Sequence, residues 1–85
     1  MATASASPTP NPNAMKFTLD TKLPSTINYR DADAAADDPF ASAVFAAGGV
    51  QSVFGVNDFV TVTREPGADW DAIVAAVKDA AAQHL

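Results

Sequence analysis

Polar and apolar positions alternate most clearly between residues 49 and 64, GVQSVFGVNDFVTVTR. Two runs rich in valine, phenylalanine and threonine flank a turn at residues 55–58, where Gly, Asn and Asp cluster, and this predicts a β-hairpin. In the second run Val60 and Val62 alternate with Phe59, Thr61 and Thr63, so one face is aliphatic and the other mixed. The first run is less regular. Val50, Phe54 and Val56 share one parity and Val53 the other, which either a bulge or burial on both faces would explain.

Two further strands are expected upstream. In residues 14–19, Met15, Phe17 and Leu19 alternate with Lys16 and Thr18; in residues 26–30, Ile27 and Tyr29 alternate with Thr26, Asn28 and Arg30. The short loop between them suggests that they pair with each other as an antiparallel hairpin. Residues 9–13, TPNPN, are proline-stiffened turn material that feeds the first of these strands. Residues 1–8, MATASASP, are small and polar, and are expected to form a mobile tail ahead of a single domain over residues 9–85.

Helical patterning appears twice. After the alanine-rich acidic loop DADAAADD, Asp37 or Asp38 can cap a helix that has Pro39 at its first position. Its apolar stripe is Phe40, Val44 and Ala47 with Phe45 beside it, and it stops at Gly48-Gly49. The second helix is capped by Asp69 and carries Trp70, Ile73, Val74, Val77, Ala81 and Leu85 on one side, with Trp70 expected as its largest anchor. The order ββαββα, with one apolar face per element, predicts an α+β two-layer sandwich. It would consist of a mainly antiparallel four-stranded sheet with both helices on one face.

Composition narrows the chemistry. Ten acidic and five basic residues give a net charge of −5, which disfavours nucleic acid and anionic membrane as partners. The 85 residues include no cysteine, which excludes disulfides, a thiol nucleophile and thiolate ligation of a metal or iron–sulfur cluster. A cysteine-free chain suits a reducing compartment, and a cytoplasmic location is expected. His84 is the only histidine and falls on a helix end, where it complements the dipole. Asp31, Asp33, Asp37 and Asp38 lack calcium-loop spacing, because the sixth position from Asp31 is Ala36 and the twelfth is Ser42. Ser42 and Ser52 have no histidine partner for nucleophilic catalysis. No catalytic residue, cofactor or metal site is therefore expected.

Three separated motifs carry a family resemblance. They are PNPNAMKF at residues 10–17, the proline-led helix with phenylalanine at residues 39–45, and residues 49–70. The last opens on Gly-Val and continues through Val53-Phe54 and DFVTVT to Asp69-Trp70. Together they resemble the N-terminal domain of Nfu/NifU-type iron–sulfur scaffold proteins over residues 9–85. In that family the domain usually precedes a second one whose C-x-x-C pair holds a cluster. The resemblance implies the fold and an association with cluster assembly, but not cluster ligation, since no cysteine is present. It points to a non-enzymatic accessory or protein-interaction module, expected as a monomer, whose partner is a cluster carrier or recipient protein. The alternative is a small metabolite- or metal-binding domain unrelated to clusters.

Alternation also places a docking surface. With both helices on one sheet face, the other should carry Lys16, Thr18, Asn28, Arg30, Thr61 and Thr63 around Phe59, a basic and hydroxyl-rich surface on an acidic protein. A second candidate is the proline-fixed turn, which could present Asn11 and Asn13. The plainer reading of the sheet surface is an ordinary solvated face.

Overall fold

The computed structural model describes residues 2–85. Five strands and two helices follow one another: β1 (Ala4–Pro8), β2 (Ala14–Leu19), β3 (Ile27–Tyr29), α1 (Pro39–Phe45), β4 (Val50–Val56), β5 (Phe59–Arg64) and α2 (Trp70–His84). All strand pairings are antiparallel, in the order β1-β2-β5-β4-β3. The α+β class and the two-layer arrangement are as expected, but the sheet has five strands instead of four and the element order gains a strand at the front.

That extra strand lies in the stretch expected to be a mobile tail; Met1 lies outside the described residues. Ala4–Pro8 pairs with β2 from Ala4 opposite Leu19 to Pro8 opposite Met15. The Ala2 N–H donates to the Ala81 carbonyl of α2 at 3.2 Å, and the Thr3 N–H donates to Asp20 Oδ1 at 3.0 Å. Ala2 and Ala4 are buried in the core. The strand is held by main-chain bonds and two methyl groups, which leave little trace in hydrophobic patterning. Pro8 fits because β1 is an edge strand, where a missing N–H breaks no ladder bond.

The expected hairpin of residues 14–19 with 26–30 does not form. β2 pairs with β5 and β3 pairs with β4, on opposite sides of the central hairpin. The intervening loop passes the β4–β5 turn, where the Leu19 N–H donates to the Asp58 carbonyl and the Leu23 N–H to the Asn57 carbonyl at 2.7 and 2.6 Å. Between β1 and β5, Phe17 is 0% exposed. At the turn Asn57 adopts φ 56°, a left-handed conformation that asparagine tolerates.

One sheet face is covered. Phe17 and Leu19 of β2, Val60 and Val62 of β5 and Val53 of β4 form a single core with Phe40 and Val44 of α1 and Ile73, Val77 and Ala81 of α2. The helices pack side by side, with α2 over β1 and α1 against β4. Trp70, expected as the main anchor of α2, is only half-buried; Ile73 and Val77 occupy the interior instead. Trp70 lies at the helix start, where the stripe reaches the rim of the core.

α1 is shorter than its pattern suggested and is set by its cap. The Asp38 carboxylate accepts the Ala41 N–H at 3.2 Å and, on its other oxygen, the Tyr29 hydroxyl at 3.0 Å, so one side chain ties β3 to the helix start. The Tyr29 phenol is pushed above its ordinary value by partial burial, then by that hydrogen bond and the negative charges of Asp38 and Asp37. A raised value favours the protonated phenol in the folded state. Its contribution is thus fully present below about pH 10 and is lost as pH rises through the folded value. Asp38→Ala is expected to lower stability by about 1–2 kcal/mol at pH 7. In urea unfolding at a series of pH values, the gap between the two proteins should narrow above about pH 10.

Candidate functional site: the open sheet face

Strand register assembles the face that the helices leave uncovered. Residues directly opposite in antiparallel strands share a face. One row therefore runs Ser7, Lys16, Thr61, Phe54, Asn28 across β1, β2, β5, β4 and β3. The neighbouring row is Ser5, Thr18, Phe59, Val56, and Thr63 lies opposite Ser52 beyond. Lys16, Thr61, Thr63 and Phe59 thus come together as expected. Lys16 and Thr18 are exposed, while Phe59, Thr61 and Thr63 are half-buried among their neighbours. The Lys16 ammonium lies 4.7 Å from the centroid of the Phe59 ring, a cation–π contact that keeps the charge against the aromatic centre.

Arg30 is exposed but lies one residue beyond the end of β3, at the margin of the face. Asn11 and Asn13 do not join it. Asn11 Oδ1 accepts the Asn13 N–H at 2.9 Å, the Thr9 hydroxyl shares its one proton between the Asn11 and Ala14 carbonyls, each 2.9 Å from Oγ1, and Asn13 Oδ1 accepts from Arg64 Nε at 3.3 Å. Arg64 also donates to the Ala68 carbonyl at 2.8 Å and stacks 5.3 Å from the Trp70 ring, whose Nε1–H donates to the Pro12 carbonyl at 3.3 Å. Those side chains clamp the 9–13 turn to the start of α2.

Sequence reasoning missed Phe54, the most exposed large hydrophobic side chain among the described residues, at 39%. Its parity was obscured because β4 changes register between Val50 and Ser52. This shift is the bulge that the irregular valine pattern left open. It lets Val50 and Val53 both point inward and turns Phe54 and Val56 outward. A signal was present: Val53 and Gly55 match the inward parity set by Val60 and Val62 across the hairpin.

The electrostatics of the face are one-sided. None of the ten carboxylates lies in a strand; they occupy the loops, the β4–β5 turn, the helix caps and α2. Lys16 is the one charged side chain in the outward rows. Among the described residues no three His, Asp or Glu side chains gather as a metal site, and no pocket opens for a small ligand. No helix among them is long and apolar enough to cross a membrane.

The chain is thus a five-stranded antiparallel sheet with two helices on one side and an open face without carboxylates on the other. The model of the family described as scaffold protein Nfu/NifU N terminal matches residues 4–85, and the chain belongs to that family. The match takes in β1, which the sequence resemblance had left outside. The mitochondrial NFU1 iron–sulfur cluster scaffold homolog of Drosophila persimilis is 34% identical over 68 residues, covering 76% of this chain and 24% of that protein. Conserved virulence factor C of Staphylococcus haemolyticus is 34% identical over 71 residues, covering 79% of this chain and 18% of that protein. The chain thus spans no more than about a quarter of the length of these relatives. Among solved structures, the crystal structure of protein SAV1430 from Staphylococcus aureus superposes with a TM-score of 0.77 at 31% identity, covering 92% of this chain and 96% of that one. A NifU-like protein from Saccharomyces cerevisiae shares the fold, with a TM-score of 0.75 at 24% identity over 91% of this chain and 72% of that one.

Proposed function

We propose that this chain is a non-enzymatic protein-interaction module of iron–sulfur cluster assembly. It docks a cluster carrier or recipient through the open sheet face and does not itself ligate a cluster. The observation that carries this reading is the face itself: Phe54 and Phe59, a single cation and a ring of hydroxyl groups, with every carboxylate held elsewhere. Membership of a scaffold family supplies the process. The absence of cysteine supports the lack of ligation, and iron–sulfide reconstitution followed by desalting should leave the protein colourless.

Docking uses the face and not the edges. β3 is three residues long, and β1 ends in Pro8, so both edges are poor templates for another strand. The module is accordingly proposed as a monomer. Asn11 and Asn13 act in this reading as positioning residues for the turn, and Arg30 as a rim contact. The cytoplasm is the proposed compartment, on the lack of cysteine; "mitochondrial" in the names of the fly relatives describes those proteins.

The test is the pair Phe54→Ser and Lys16→Glu, first checked by circular dichroism for an intact fold. The wild type should enrich cluster-assembly proteins from native lysate and the double variant should lose most of that enrichment. Undiminished enrichment by the folded variant would remove the sheet face as the docking surface.

A further inference from the structure

We infer that the occupant of the open face is an amphipathic, acidic α-helix of the partner protein, an inference that rests on the docking reading above. An open sheet face is buried most simply by a helix laid across it, as α1 and α2 already do on the other side. Lys16 and Phe54 are both opposite Thr61, on the strands either side of β5. Two strand spacings separate them by about 10 Å. That is close to two turns of an α-helix, about 11 Å, so a carboxylate and an apolar anchor seven residues apart on one helix face reach Lys16 and Phe54 together. The anchor fills the space over Phe54 between Val56 and Asn28, and the carboxylate meets the ammonium where it lies over the Phe59 ring.

Charge selects this partner over the alternatives. The outward rows contain one cation and no carboxylate, so an acidic helix meets no like charge on the surface that it covers. Asp58 in the β4–β5 turn borders the face beside Phe59. It lies three residues along β5 from Thr61 and so about 10 Å from the Lys16–Phe54 row, beyond the roughly 8 Å over which physiological salt screens a charge. The other carboxylates lie in loops, helix caps and α2. A basic helix would leave Lys16 facing like charge against an apolar surface. A second copy of this chain would offer its own Lys16 and Phe54 face, with no carboxylate for either cation.

The experiment is an amide chemical-shift titration of the full chain with two synthetic 18-residue helical peptides. Both carry leucine along one stripe; one has glutamate and the other lysine on the flank of that stripe. The glutamate peptide should shift residues of β2, β4 and β5 on the open face and bind at least fivefold more tightly than the lysine peptide. Lys16→Glu should reverse that order. Equal binding of the two peptides, shifts centred on α1 and α2, or no binding of either would overturn the inference. Phe54→Ser separates the two readings. If it abolishes capture of cluster-assembly proteins while the peptides show no charge preference, the face still docks a partner and only the acidic helix falls.

Discussion

Phe17→Ala is expected to cost about 3–5 kcal/mol, among the largest losses from truncating one core side chain to alanine. Phe17 is among the largest fully buried side chains, and it lies on β2 between Ala6 of β1 and Val60 of β5. Its ring meets the same core as Ile73 and Val77, so its removal leaves a cavity walled by a rigid sheet and a helix that cannot easily close it. A domain of this size has roughly 4–13 kcal/mol to lose. The melting temperature should therefore fall by roughly 15–30 °C. Thermal unfolding followed by circular dichroism measures this; a fall below 5 °C would place the centre of the core elsewhere. Trp70→Ala should cost less than Phe17→Ala, because Trp70 is half-buried and works through Arg64 and Pro12 at the rim.

Removing residues 1–8 is the second large effect. It strips β1 from the sheet, opens the outer edge of β2 and uncovers Leu19 and Ala81 where Ala2 and Ala4 now lie. The lost ladder and the exposed apolar surface sum to about 2–3 kcal/mol after the entropy of ordering the strand is deducted. The melting temperature should drop by about 10–20 °C. The freed β2 edge should also promote self-association, visible as concentration-dependent sedimentation. An unchanged melting temperature would mean that β1 contributes nothing to the fold.

The contrast between Phe17 and β1 shows what this sequence made legible. Where strands bury large residues at alternate positions, as in Ala14–Leu19 and Phe59–Arg64, pattern alone located them. The helix caps at Asp38 and Asp69 were legible for a similar reason, since capping is local chemistry. β1 was not, because its one buried residue is alanine and its other four positions are exposed. Strand pairing also escaped, because neighbours in sequence are not obliged to be neighbours in the sheet. The central hairpin inserts between β2 and β3.

The candidate site was half legible by the same logic. The regular parity of β5 placed Phe59, Thr61 and Thr63 on the open face, and that of β2 placed Lys16 there. Phe54 was lost to a single extra residue in β4, although it is the more exposed aromatic of the two. The face could be recognised as a contrast of charge before its most exposed aromatic group could be named. Asn11 and Asn13 lie away from that face. They stand in a turn that looks presented for recognition, and their side chains are engaged within it and with Arg64.

The open sheet face is the proposed docking surface for a cluster-assembly protein. Cross-linking mass spectrometry on the full chain bound to an assembly protein captured from lysate tests it most directly, with a photoreactive group placed in turn at Thr18, Ser52, Ala75 and Gln83. Cross-links from Thr18 and Ser52, with none from Ala75 and Gln83 on α2, are the predicted result. Cross-links from the α2 positions alone would place the partner on the helical side and remove the sheet face as its docking surface.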